Sequence, residues 1–302
     1  MRLLIQIMPK CFDEFREAES AQISGFIKWI TKDCFLCQPR VGDMPYWKKF
    51  LNHSPKDIQD LFINSIKWCA VNIREEDLLP CGHWPGIDLV LTAKVAHSGE
   101  SCSCGAELVK WLDWIDSNSL DRLRDLRARP MLKGESRDKE LGDRMINFLR
   151  FCKTITIIDR YLTNAVGGSS ARPEKIPGIG FFKAHKPLNL EYLEIICADH
   201  GQSKYNVLHN ALESDRFFAP INICIYRVSK RMFQEQAHHR LIGFTINSRI
   251  HTVSIDKGFA SLVNDPLISD IPTQYLSPNN GVARTKDALK LNNSQRIYIT
   301  AH

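Results

Sequence analysis

An alternation of strand-like and helix-like segments runs from Thr154 to Phe259 and constrains the fold more than any other feature of this sequence. Apolar, β-rich runs predict strands over residues 154–159, 192–198, 221–228 and 240–246. Helical patterns precede the first of these strands, over 139–152, and separate the second from the third, over 203–213. This order predicts an α/β layered domain with a mixed sheet.

The first half of the chain has a different pattern, dominated by helical periodicity. Apolar residues recur three and four apart over residues 10–32, 56–77, 106–115 and 120–128. Proline and glycine over residues 33–55 indicate a loop, and short apolar runs predict strands at the N-terminus and over 87–96. We therefore expect an α-rich N-terminal domain over residues 1–138, joined by a polar linker at 131–138 to an α/β domain over 139–302.

Length and composition are those of a globular protein that acts away from membranes. The 302 residues are enough for two cores, and 44% of them are hydrophobic and 25% charged. No apolar run approaches the roughly 20 residues that span a bilayer, and the N-terminus lacks a signal-peptide pattern. We expect a cytoplasmic protein, whose net charge of +6 is compatible with a nucleic-acid partner without requiring one.

Cysteine and histidine cluster in the first half, where six of the ten cysteines lie between Cys34 and Cys104. Three pairs have ligand groups two or three residues apart: Cys34 with Cys37, Cys81 with His83, and Cys102 with Cys104. Zinc takes four such ligands in a tetrahedron, and any two pairs would complete a site. The spacing predicts a structural zinc ion; the alternative is that these are ordinary reduced cysteines packed near loops.

A second group of candidate residues lies at strand ends in the second half. Asp159 and Arg160 follow one predicted strand, and His238 and Arg240 begin another, where alternation points both side chains to one side. Arginine binds phosphate oxygens bidentately, and neutral histidine can attack phosphorus or transfer a proton. Lys257 and Arg160 are candidate phosphate contacts. An isolated His-x-Arg is also typical of a strand-opening turn on a protein surface.

The order of these motifs resembles a phospholipase D-like domain, in particular the single-motif versions found in bacterial defence-associated nucleases and at the ends of some membrane-trafficking adaptors. The resemblance covers about residues 145–265 and rests on Asp159-Arg160-Tyr161, His238-His239-Arg240 and Gly258-Phe259. It implies that His238 is the nucleophile, Arg240 the phosphate clamp and Asp159 an orienting acid. The family needs no metal for catalysis, and a single motif implies a homodimer that shares one site.

The sequence departs from the family at two positions. Thr245 stands where active members have an acid, and Gly258-Phe259 replaces their Gly-Ser pair. Two functions therefore remain: a nuclease that cleaves DNA or RNA, in a bacterial defence system, and a non-catalytic adaptor that binds nucleic acid or protein through a degenerate site. In either case the N-terminal domain would recognise a partner.

Overall fold

The computed structural model describes residues 1–301 except 94–100, 166–180, 183–184, 186, 188, 237–239, 263, 277–280 and 292–293. The chain divides into two compact units, Met1–Asp125 and Leu126–His302. Residues 131–138, the predicted linker, lie within the second unit. In the described part of the chain, no helix combines the length and apolar character that crossing a membrane requires.

The first unit contains a five-stranded sheet in which every neighbouring pair of strands is parallel. Its strands are β1 Leu3–Ile7, β2 Cys34–Cys37, β3 Ala70–Val71, β4 Leu89–Thr92 and β5 Glu107–Lys110. They lie in the order β3-β2-β1-β4-β5. Its helices are α1 Cys11–Phe15, α2 Ser20–Asp33, α3 Met44–His53 and α4 Lys56–Cys69, and α5 Asn118–Ala128 contains the division between the units.

Burial on both faces explains why this sheet was missed. All five residues of β1 and all four of β2 are buried, so these strands read as continuous apolar runs rather than as an alternation. A short apolar run does not distinguish a strand from a helix by its period. The first unit is rich in helix, as expected, and what the expectation of an α-rich domain lacked is the parallel sheet at its centre.

Two local predictions in this unit are also corrected. The segment over residues 33–55 is not a loop, because it forms β2 and α3. The helix predicted over 106–115 is strand β5 followed by the 3-10 helix Trp111–Asp116. Trp111 is buried against Phe15 and Phe26, with ring centroids 4.5 and 5.7 Å away, so its apolar spacing reflects an aromatic core rather than an α-helical face.

The second unit contains the predicted mixed sheet. Its strands are β6 Thr154–Ile158, β7 Tyr192–Ala198, β8 Asn222–Val228, β9 Leu241–Ile246, β10 Arg249–Ile255, β11 Thr273–Leu276 and β12 Gln295–Ile299. They lie in the order β11-β10-β9-β6-β7-β8-β12, with β6, β7 and β8 parallel and the other neighbours antiparallel. Its helices are α6 Arg137–Phe151, α7 Leu162–Ala165, α8 Gln202–Glu213, α9 Lys230–Gln236 and α10 Val282–Ala288.

The mixed α/β character of this unit is confirmed, with one omission in the sequence prediction. Strands β10 and β11 lie within residues 247–280, for which the sequence patterns predict no strand. A two-residue turn, Asn247-Ser248, joins β9 to β10, and both residues have positive φ (50° and 61°). Tight hairpins require this conformation and usually signal it with glycine. The absence of glycine hid the hairpin.

Candidate functional site

The parallel strands β6, β7 and β8 of the second unit all end at one edge of the mixed sheet. β9 begins at this edge, opposite the end of β6, and β10 ends there beside β9. Residues far apart in sequence are therefore neighbours. This carboxyl edge carries four of the residues selected from the sequence: Asp159, Arg160, Arg240 and Lys257.

A buried acid beneath an arginine forms the centre of the carboxyl edge. Asp159 is 1% exposed, and its Oδ1 accepts a hydrogen bond of 2.8 Å from the backbone N–H of Tyr161. The Nε of Arg240 lies 4.0 Å from the same oxygen, and Arg240 Nη1 donates to the carbonyl of Asp256. Burial of a carboxylate is unfavourable unless it is paired and hydrogen-bonded, and these contacts supply both conditions.

Gly258 allows the arginine to lie over the acid. Its φ is +73°, and a Cβ built on it would lie 2.3 Å from Arg240 Cδ and 3.0 Å from Asp159 Oδ2. Such distances are below van der Waals contact. Gly258 therefore has a specific role, because its missing side chain leaves the space that Arg240 occupies.

Two guanidinium groups and an imidazole lie close to the ring of Tyr161. The guanidinium carbons of Arg160 and Arg240 lie 5.1 and 5.4 Å from the ring centroid, within the range of cation–π attraction. The imidazole of His200 stacks on the same ring at 6.3 Å. Tyr161 is 38% exposed, so this cationic group is open to solvent. It has the charge that an anionic ligand requires.

Sequence reasoning missed His200, which follows β7 as Arg160 follows β6. Its Nε2 donates a hydrogen bond of 3.0 Å to the carbonyl of Arg160. Burial lowers the pKa of His200, and the positive charges of Lys230 and Lys204 lower it further. Its position directly after an apolar strand is the signal that would have found it.

Two further residues of the motif need comment. His238 lies outside the described residues, so its place in the sequence alone connects it to Arg240. Thr245 pairs with Thr154 at the other end of β9. Five residues along a strand correspond to roughly 16 Å. An acid at position 245 would thus start far from the carboxyl edge, and its absence removes nothing from that edge. Lys257 is exposed in the turn after β10.

The first unit contains a cluster of possible metal ligands. One ligand atom from each of Cys81, His83, Cys102 and Cys104 lies within 4.8 Å of all the others. The Cys104 sulfur is 3.6 Å from His83 Nδ1. A tetrahedral site with bonds of about 2.3 Å places its ligand atoms roughly 3.8 Å apart, close to this spacing. The cluster could hold a metal ion, as two of the three predicted pairs implied.

The parallel sheet explains how these two pairs meet. The first pair precedes β4, the second precedes β5, and the two strands are neighbours. Loops that precede adjacent parallel strands emerge at the same edge. Tight turns shape both loops: Gly82 (φ +77°) donates to the Leu79 carbonyl, and Gly105 (φ +86°) to the Cys102 carbonyl, each at 2.8 Å.

The electrostatics of the cluster also suit a metal. Hydrogen bonding, above all from the backbone of Cys104, lowers the pKa of Cys102 to about 6. Burial raises the pKa of Cys104. Since the thiolate is the form that binds metal, Cys102 offers a ligand in its binding form near neutral pH.

The remaining predicted pair, Cys34 and Cys37, is not part of this cluster. The two residues are the first and last of strand β2 and both are buried. Side chains three apart on a strand point to opposite faces, and their Cα atoms are roughly 10 Å apart. They cannot meet around one ion, so the prediction that they form a ligand pair is corrected. The loop predicted at this pair is a strand.

Comparison with known proteins assigns neither unit to a family. No family model matches the chain, and no curated protein or solved structure is similar enough to count as a match.

Proposed function

We propose that the carboxyl-terminal unit binds and cleaves phosphodiester bonds in nucleic acid at its carboxyl edge. The observation that carries the proposal is the arrangement in which Gly258 lets Arg240 lie over the buried Asp159. An arginine fixed in this way, beside the aromatic ring of Tyr161, is pre-organised to bind two oxygens of one phosphate group. Arg160 and Lys257 supply further positive charge along the same edge.

The proposed reaction uses His238 as nucleophile. A ring nitrogen of His238 attacks phosphorus, a P–N bond forms, and the P–O bond to the leaving nucleoside breaks. A second imidazole donates a proton to the leaving oxygen. Water then attacks the phosphorus, gives a proton back to that imidazole, and breaks the P–N bond. A homodimer that shares one site would supply the second imidazole, and the reaction needs no metal.

Cleavage assays on labelled single- and double-stranded DNA and RNA test this proposal. We expect cleavage by the wild type in excess EDTA, and a loss of at least about 100-fold in His238→Ala and Arg240→Ala, in line with the removal of an essential catalytic group. His209→Ala, which changes a half-buried histidine of α8, is the histidine control and should cleave like the wild type. Loss of cleavage in EDTA, or full activity in His238→Ala, contradicts the proposal.

A binding-only protein is the second candidate. Its support is that Arg240 is already engaged by Asp159 and the Asp256 carbonyl, which is compatible with a structural arginine. In that case the same edge binds nucleic acid or a protein partner without reaction. Nucleic-acid binding that is equal in wild type and His238→Ala, with no cleavage by either, identifies this function.

We further propose that the Cys81, His83, Cys102 and Cys104 cluster binds zinc in a structural role. Three thiolates and one imidazole form a closed tetrahedral set, which leaves no position for a substrate. A zinc ion there would connect the loop before β4 to the loop before β5. It would thereby shape one end of the first unit, where a protein partner or nucleic acid could be recognised.

A further inference from the structure

The parallel sheet of the first unit has a topological switch point between β1 and β4. The chain runs from β1 outward through β2 to β3, then returns to place β4 on the other side of β1. Loops that follow β1 and β4 therefore belong to two halves of the sheet. In open parallel sheets a crevice forms outside the carboxyl ends of the strands at such a point, and ligands bind there.

A cleft of about 1150 Å³ lies at this position. The residues after β1, the segment after β2 and the last residue of β4 line it, and they include Lys10, Arg40, Tyr46 and Thr92. Pockets for small molecules usually measure about 300–1,000 Å³. The cleft can therefore hold a ligand the size of a nucleotide together with water.

Two cationic side chains line the cleft: Lys10, from the segment after β1, and Arg40, from the segment after β2. Arg40 is held in place by Asp43, with Nε–Oδ2 and Nη2–Oδ1 distances of 2.8 and 3.2 Å. An arginine fixed by a bidentate ion pair loses little conformational freedom when an anion approaches. Lys10 is exposed after β1 and has no ion-pair partner among the described residues.

Acidic residues also line the cleft, but the fold already engages them. Asp43 pairs with Arg40, and Glu14 accepts a hydrogen bond of 2.8 Å from Trp111 Nε1. Asp13 lies 3.8 Å from the ammonium group of Lys49. These contacts reduce the repulsion that an entering anion would meet.

The cleft also presents an aromatic ring. Tyr46, the third residue of α3, is 41% exposed, whereas Trp47 and Phe50 of the same helix are buried. An exposed aromatic ring that lines a cleft can stack on a planar base.

We propose that this cleft binds a nucleoside monophosphate. The phosphate lies against Arg40 and Lys10, and the base stacks on Tyr46. This site is separate from the phosphodiester site proposed for the second unit, and it stands whether or not that unit is an enzyme.

Calorimetric titration of the full-length protein with AMP, GMP, CMP and UMP tests the proposal. We expect at least one of them to bind with a submillimolar Kd, and inorganic phosphate and the matching nucleoside to bind at least ~10-fold more weakly, because each lacks part of the contact set. Arg40→Ala and Tyr46→Ala should each weaken binding ~10-fold or more. Arg16→Ala and Tyr298→Ala change exposed residues of the same types outside the cleft and should have no effect.

Several outcomes overturn the proposal. Absence of binding by all four nucleotides at 1 mM does so, as does binding of inorganic phosphate with equal affinity. Binding that survives Tyr46→Ala but is lost in Arg240→Ala would place the nucleotide at the carboxyl edge of the second unit. If Arg40→Ala disturbs folding, as circular dichroism would reveal, the exposed Tyr46 still decides the question.

Discussion

The two units collect their candidate residues at opposite ends of parallel strands, and they hold them by different means. In the first unit, the thiols and the imidazole precede β4 and β5 and lie together around a point where an ion fits. In the second unit, the charged residues follow β6 and β10 or precede β9, and backbone hydrogen bonds hold them. A bound ion would stabilise the cysteine and histidine cluster. In the second unit, the absence of a side chain at Gly258 allows Arg240 to lie beside Asp159.

The difference teaches what each site should tolerate. If the cysteine and histidine cluster binds zinc as proposed, the ion would add to the turn hydrogen bonds that hold the two loops together. The Asp159–Arg240 arrangement depends on local geometry, because its partners are protein groups and the space above Gly258. Removal of a bound metal should therefore lower the stability of the first unit alone. A side chain added at Gly258 should disturb the site of the second unit.

The largest expected effect is that of metal removal. We expect one zinc per chain by elemental analysis, lost in Cys104→Ser together with several kcal/mol of unfolding free energy. This is less than the ~10 kcal/mol typical of small zinc peptides, because the first unit has an aromatic core of its own. Urea unfolding, monitored by tryptophan fluorescence, measures the loss.

Cys37→Ser is the matched control for this prediction. Its thiol is buried on β2, so the variant should lose stability yet keep one zinc per chain. Loss of zinc in Cys37→Ser, with retention in Cys104→Ser, would reverse the assignment of ligands.

A smaller effect is expected from Gly258→Ala. The positive φ costs a non-glycine residue about 1–2 kcal/mol, and the new Cβ displaces Arg240 from Asp159. Gly134→Ala is a close control, because Gly134 also has a positive φ (+86°) but has no atom near its Cβ position. Thermal unfolding should show a loss of stability in both variants, larger in Gly258→Ala because its Cβ also displaces Arg240, and only Gly258→Ala should lose nucleic-acid binding. Equal binding by the two variants would separate Gly258 from the site.

The smallest expected effect concerns the pH dependence of stability through His200. Because its pKa in the folded protein is lowered, the unfolded chain binds the proton more tightly, and stability falls as pH decreases through the ordinary histidine pKa of about 6.5. Above that pH both states are neutral and the contribution is constant. His200→Gln should therefore show a shallower loss of stability between about pH 7 and 5.

An anion at the carboxyl edge should also raise the pKa of His200. An NMR titration of the His200 ring with and without dimethyl phosphate measures this shift, and His209, a half-buried residue of α8, serves as the internal control. A shift at both residues would indicate a general salt effect and would remove the evidence for a local phosphate site.

The sequence predicted the second unit better than the first for a physical reason. β6, β7 and β8 are five to seven residues long, and clear helical patterns precede β6 and separate β7 from β8, so period and composition agree. β2 and β5 have four residues each and β3 only two, too few to show any period. The hairpin at Asn247-Ser248 was hidden because its residues adopt positive φ without glycine.

By itself, the sequence determined which residues have suitable chemistry. It selected Cys81, His83, Cys102 and Cys104 as ligand types at ligand spacing, and Asp159 and Arg240 as charged residues at strand ends. These choices depend on residue type and local spacing, which a sequence displays directly.

Only the tertiary structure decided which of these residues meet. Parallel pairing of β4 with β5 joined two cysteine-containing loops and excluded Cys34 and Cys37, and antiparallel pairing of β9 with β6 brought Arg240 to Asp159. The same pairing placed Thr245 at the far end of its strand. Strand order depends on contacts between distant segments, and no local pattern of residues encodes those contacts.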